Sequence, residues 1–181
     1  MWRVKLLLKI IDEFSELKEL CVCKGESIPD YENYSNSHPE FNKYHILPWC
    51  KNRILEQQEK FFLLLEEFNV LLHFLAVDET KPWQMYTRDT GFVAHDILFY
   101  SEKRNLPDRY GEIDILLESS IIDKKNKVVK ILGGSIEGGD VLMHDGHAFV
   151  GISARTSRHA ALELSNYLEV TMLDLGSNIM H

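Results

Sequence analysis

Cysteine is scarce in this 181-residue sequence, which carries only Cys21, Cys23 and Cys50. Three thiols make no paired framework and contain no CxxC motif, which excludes a disulfide-stapled scaffold. Long apolar runs are missing as well, and none approaches the roughly 18 residues that a transmembrane helix requires. The opening Met1-Trp2-Arg3-Val4-Lys5-Leu6-Leu7-Leu8-Lys9 follows its three leucines with another lysine, short of the roughly 7–15 apolar residues of a signal peptide. Positive charge is in deficit: 20 Lys and Arg stand against 28 Asp and Glu, a net charge of -8. That balance excludes the basic face a nucleic-acid binder needs and gives no attraction to an anionic membrane. Free thiols without a leader point to a reducing compartment, the cytoplasm.

What is present is ample for one packed domain, with 45% hydrophobic residues. Residues 17–23 read as a strand closed by Lys24-Gly25, and residues 27–45, rich in Asn, Ser, Tyr and Pro, as a long loop. Pro48 then opens a helix over 50–68, with Ile54, Leu55, Phe61, Phe62, Leu64 and Leu65 on its apolar face, and Asn69 ends it. The apolar run 70–77, broken by one His, reads as a strand buried on both faces.

From Asp89 onward one order of elements occurs twice. Strand-like runs at 91–95 and 97–101 precede a helix over 113–122 and a strand over 127–132; then 141–144, 147–153, a helix over 157–168 and a strand over 169–175 follow from Asp140. Fifteen residues separate Asp89 from Arg104, and the same number separates Asp140 from Arg155. Repeated β-β-α-β units point to a ring-like array in which each unit needs neighbours to cover its apolar faces.

Four short segments stand out: Tyr86-Thr87-Arg88-Asp89-Thr90, Ile136-Glu137-Gly138-Gly139-Asp140, Gly151-Ile152-Ser153-Ala154-Arg155-Thr156, and the terminal Ser177-Asn178-Ile179-Met180-His181. Singly, each has an ordinary reading: a salt bridge before a strand, an acidic turn, a helix cap with a solvated charge, a frayed terminus. In this order they resemble the pentein superfamily of guanidino-group-modifying enzymes, which comprises arginine deiminases, dimethylarginine dimethylaminohydrolases and amidinotransferases. The resemblance runs from about Glu16 to the last residue.

The resemblance implies an α+β fold, an α/β propeller of five blades built from ββαβ-type modules. This chain would supply about three of them, at about 17–77, 89–132 and 140–175, as a single incomplete domain over 1–181. It implies a hydrolase without cofactor or metal, acting on arginine or a methylated arginine: a cysteine thiolate attacks the guanidinium carbon, an amine leaves, and a histidine moves protons. By resemblance His181 is that general acid/base, Asp89 and Glu137 are carboxylates that grip the guanidinium, and Arg155, Arg109 and Asp140 bind substrate. Arg104 rivals Arg109 because it holds the repeat-equivalent position. The chemistry suits these residue types, because a guanidinium is planar, always charged and rich in donors that carboxylates accept in pairs. Asp89 and Glu137 are therefore expected to approach one another.

Two departures bear on function. Many relatives carry Pro-Asp or Pro-Asn ahead of Arg-Asp, whereas here the pair is Pro82-Trp83. Deiminases follow the histidine with Leu-Asp and a late nucleophilic cysteine, whereas this chain ends at His181 and Cys21, Cys23 and Cys50 match no nucleophile position. The expectation is an N-terminal portion of the fold. The paired glycines of Glu137 to Asp140 favour the deiminase and dimethylaminohydrolase branch over the amidinotransferases, and the 48 residues from Asp89 to Glu137 favour the compact dimethylaminohydrolase type. An amidinotransferase and a non-catalytic guanidinium-binding protein are the alternatives. The expected partner is a small guanidino compound, with self-association favoured by an open ring.

Overall fold

The computed structural model describes residues 10–37, 48–102, 106–119, 121–122 and 126–176. The chain forms two compact units, Leu17–Met85 and a second composed of Met1–Glu16 with Tyr86–His181.

In the unit Leu17–Met85, β1 (Glu19–Val22) pairs in parallel with β2 (Leu71–Phe74), with Glu19 opposite Leu71 and Val22 opposite Phe74. A parallel pair needs a crossover, and α2 (Lys51–Glu67) lies within that connection. Asn69, at φ 59°, stops the helix as the sequence implied. Its amide donates to the Glu66 carbonyl and that of Val70 to Leu65, the paired bonds that a left-handed residue makes possible at a helix end. Gln58 holds α2 against the strand side, accepting from the Gly25 amide at 2.7 Å and donating to the Cys23 carbonyl at 3.0 Å.

Two expectations for this unit change. The stretch read as loop contains α1 (Tyr31–Ser37) after a 3-10 turn at Gly25–Ser27. Its helix hides in polar and aromatic composition because Tyr31 packs edge to face and Tyr34 tilted on Trp49, with centroids 4.9 and 5.9 Å apart, and Tyr34 also meets Trp83. The strand at 70–77 is shorter, and its ends Leu71 and Phe74 are 51% and 45% exposed rather than covered on both faces.

The second unit contains two three-stranded sheets of identical order. In one, β3 (Phe92–Ala94) pairs antiparallel with β4 (Ile97–Ser101), which pairs in parallel with β5 (Lys127–Ile131). In the other, β6 (Val141–His144) pairs antiparallel with β7 (His147–Ile152), which pairs in parallel with β8 (Glu169–Asp174). The parallel step in each is bridged by a helix, α4 (Glu112–Glu118) or α5 (Arg158–Leu164). Period-two alternation is clearest in β6, where Val141 and Met143 are buried while Leu142 and His144 face out. With Phe99, Ile131, Ala148, Val150 and the α5 residues Ala160, Ala161 and Leu164 they form one continuous core. Ser157 caps α5 by accepting from the Ala160 amide, a contact worth about 1 kcal/mol. This is an α+β architecture of small sheets and few helices, and no helix among the described residues is long and apolar enough to cross a membrane.

Candidate active site

One helical turn, α3 (Thr87–Thr90), presents Arg88, Asp89 and Thr90 immediately before β3. Asp89 Oδ2 lies 3.1 Å from Arg109 Nη1, and Arg109 Nε donates to Glu112 Oε2 at 2.8 Å. Arg109 Nη2 donates to the Tyr86 carbonyl and Thr90 Oγ1 to Glu112 Oε2. The Arg109 and Glu112 side chains are only 5% and 1% exposed. A buried cation between two carboxylates is held by Coulomb attraction that low polarity strengthens, and losing either acid would strand it. The resemblance implies that Arg109 binds substrate; here its guanidinium bonds Asp89, Glu112 and the Tyr86 carbonyl.

The second segment is built from backbone outward. A 3-10 turn at Gly138–Asp140 follows Glu137, which is 1% exposed. The Glu137 amide donates to Thr156 Oγ1 at 3.0 Å, and Thr156 Oγ1 donates to Asp140 Oδ2 at 2.5 Å. Ser153 Oγ also donates to Asp140 Oδ2 and accepts from the Arg155 and Thr156 amides. Asp140, expected among the substrate contacts, thus directs its Oδ2 to the two hydroxyls that brace this turn. One residue upstream of Glu137, Ser101 Oγ bonds both the amide and the carbonyl of Ile136. Arg155, with its side chain 30% exposed, brings Nη1 within 3.5 Å of Glu137 Oε1, an ion-pair distance rather than a tight hydrogen bond.

The two turns interlock. Arg88 Nε donates to the Gly138 carbonyl at 2.9 Å and Nη2 to the Val141 carbonyl at 2.6 Å. Glycine is required at 138 because a Cβ there would run into the Arg88 carbonyl oxygen and Phe92. Asp89 and Glu137 therefore each sit one residue from a direct contact between their segments. His181 and Arg104 lie outside the described residues.

Glu112, Thr156, Ser101 and Arg88 escaped the sequence reading as site residues. Glu112 had a signal, standing three residues after Arg109 at the start of a helix, the spacing at which side chains on adjacent turns meet. Ser101 had none, since it acts across 35 residues of sequence. Trp83 packs with Tyr34 and with Trp49, at 5.1 and 5.8 Å between centroids. A cavity of about 350 Å³ is lined by Tyr100, Glu102, Arg109, Glu112 and Lys130 among others, but by neither Asp89 nor Glu137.

The cysteines are free thiols. Burial, assisted by neighbouring Cys23, pushes Cys21 from the usual 9.0 up to about 12, so its thiol stays protonated near neutrality and is a poor nucleophile there. Cys23 is 1% exposed.

No family model matches the chain. Among curated proteins it is 31% identical over 158 residues to the uncharacterized protein YkgA of Bacillus subtilis, covering 86% of this chain and 53% of that one. It is 29% identical over 123 residues to the N(G),N(G)-dimethylarginine dimethylaminohydrolase of Pseudomonas aeruginosa, covering 65% of this chain and 46% of the enzyme. The chain thus spans about half the length of the curated relatives it matches. Among solved structures, the Pseudomonas aeruginosa dimethylarginine dimethylaminohydrolase complexed with citrulline superposes with a TM-score of 0.72 at 20% identity, over 91% of this chain and 63% of that one. The N-terminal domain of a cyanobacterial arginine dihydrolase, bound to product, gives 0.67 at 15% identity, over 87% and 57%. Fold and sequence similarity agree with the ordered motifs around Asp89, Glu137 and Arg155, and the chain has the fold of these pentein-superfamily enzymes.

Proposed function

We propose that this chain carries the guanidinium-binding part of a cytoplasmic hydrolase that cleaves a guanidino C–N bond of arginine or a methylated arginine. The observation that carries the reading is the interlock of two carboxylate-bearing turns, with Arg88 of one bonded to Gly138 and Val141 of the other. A flat cation with donors along its edges is the ligand that two such carboxylates suit. The names of the relatives, a dimethylarginine dimethylaminohydrolase and an arginine dihydrolase, point to the same chemistry. The repeated strand order supports a propeller in which segments of about 17–77, 89–132 and 140–175 are three of five blades.

In this reading Asp89 and Glu137 orient the guanidinium and keep it cationic, so that its carbon stays electrophilic. Arg155 takes the substrate carboxylate, while Arg109 acts through Asp89, which it holds in place. Asp140 serves the same site by fixing the turn after Glu137. His181 moves the protons. The nucleophilic thiolate is assigned to neither Cys21, whose pKa is raised, nor Cys23, which is buried. A second reading is a protein that binds guanidinium compounds without turning them over.

Calorimetric titration with L-arginine and with asymmetric dimethylarginine tests the site. Saturable binding that Asp89→Asn and Glu137→Gln each remove is expected, together with no release of citrulline from the chain as it stands. Absence of binding at about ten millimolar ligand, an affinity below roughly 3 kcal/mol, would sink both readings. Citrulline release that persists in His181→Ala would overturn the assignment of roles.

A further inference from the structure

We propose that Arg88 is a positioning residue of the guanidinium site, setting the separation of Asp89 and Glu137 by tying the backbone that carries one to the backbone that follows the other; this rests on the site proposed above. An arginine beside an aspartate reads in sequence as half of a salt bridge. Here its guanidinium turns the other way, donating through Nε to the Gly138 carbonyl at 2.9 Å and through Nη2 to the Val141 carbonyl at 2.6 Å. These carbonyls bracket the turn Gly138–Asp140, so one side chain clamps both of its ends.

The clamp is anchored from behind and closed from the front. Glu13 Oε1 accepts from Arg88 Nη2 at 2.6 Å and from the Met143 amide at 3.2 Å, which ties the guanidinium to β6 as well. From the other direction, the missing Cβ of Gly138 lets the Arg88 carbonyl approach that backbone closely. The two segments therefore touch through both the main chain and the side chain of residue 88, and neither can slide without the other.

The chemistry asks for arginine specifically. Its donors lie in one rigid plane and reach two acceptors at fixed angles, whereas lysine presents a single point charge on a flexible stem. Arg88→Lys keeps the cation for Glu13 but loses the two-pronged hold on Gly138 and Val141. Asp89 and Glu137 each lie one residue from the clamp, so a shift of about 1 Å in its register reaches both carboxylates. A misplacement of that size costs a positioned site up to about 100-fold.

The test compares Arg88→Lys with Glu13→Gln in the full chain, using L-arginine titration, thermal midpoint, and amide hydrogen exchange resolved by residue. Arg88→Lys is expected to weaken L-arginine binding by about 10-fold or more. It should also speed exchange at Gly139, Asp140 and Val141 while the β7 and β8 amides keep their rates. Glu13→Gln, which leaves both carbonyl contacts possible, is expected to stay within about twofold in affinity, as an exposed ion pair contributes little. Thermal midpoints certify that both variants are folded, and the exchange pattern separates a local release from global loosening. L-Arginine binding that survives Arg88→Lys, or an equal loss in Glu13→Gln, overturns the role given to Arg88. An unmodified chain that binds no L-arginine overturns the guanidinium site itself, and the role with it.

Discussion

The β3–β5 and β6–β8 units share strand order, pairing sense and a helix before the last strand, and each presents an acid next to an arginine. They treat that pair in opposite ways. In the first, Arg109 is sealed between Asp89 and Glu112, with its side chain 5% exposed. In the second, Arg155 stays 30% exposed and stands 3.5 Å from Glu137. Glu137, not its arginine, is the buried member, fixed through its backbone by Thr156 and through its neighbour Ile136 by Ser101. The lesson is that one topology can seal an arginine between acids in one repeat and leave it partly exposed in the next. Local partners matter here: Glu112, one helical turn beyond Arg109, completes the enclosure of the first arginine.

The sharpest break of this comparison is Glu112→Ala. It leaves a buried guanidinium with one acid fewer, and a loss of about 3–5 kcal/mol in urea unfolding is expected. A value below about 1 kcal/mol would mean that Arg109 is not the sealed cation described here. Next in size is Thr156→Val, which keeps the shape but removes the hydroxyl that accepts from the Glu137 amide and donates to Asp140. About 1–3 kcal/mol is expected, because buried partners are left without it. Arg155→Ala should cost less than either, about 1–2 kcal/mol, because the arginine is 30% exposed although its partner Glu137 is buried, while abolishing L-arginine binding in calorimetry. A large stability loss with unchanged binding would exchange the roles of the two arginines.

The smallest effect at neutral pH belongs to Cys21, in the other unit. Its folded pKa lies above the ordinary 9.0, at about 12, so the folded state retains a proton that the unfolded state releases. Stability from this group is therefore complete below about pH 9 and declines as pH climbs toward 12. The difference in unfolding free energy between the unmodified chain and Cys21→Ala should be flat up to pH 9 and should narrow above it. A flat difference to pH 11 would show that the thiol is not shielded from water.

Sequence alone revealed the elements whose pattern is local. The strand at 141–144 and the helix ended by Asn69 emerged where expected, and so did the two-fold order of strands and helices after Asp89. The helix at Tyr31–Ser37 did not, because tyrosine, asparagine and serine carry no 3.6-residue apolar stripe and its support comes from Trp49, distant in sequence. The run at 70–77 misled for the opposite reason, since continuous apolar character implies two covered faces that Leu71 and Phe74 lack. Within the site, the motif segments stood out because their residue types are unusual in combination. The contacts of Arg88, Ser101 and Thr156 could not be read, because they depend on which backbone atoms the fold brings to them.

The hairpin joining β6 to β7 turns through Asp145 at φ 49° and Gly146 at φ 77°, both in the left-handed region. Two such residues favour a tight reversal that matches the natural twist of the flanking strands. This pairing needs almost no loop to be closed, so it forms early when the chain collapses. Its parallel partner β8 must wait for α5 to span the crossover, and the bridge from Ile10 to His95 must wait for a segment almost half the chain away. Refolding of this unit should accordingly begin at the Asp145-Gly146 hairpin and finish with the arrival of residues 10–13. Gly146→Val would slow the first step, whereas Ile10→Ala would leave it untouched and hasten unfolding instead.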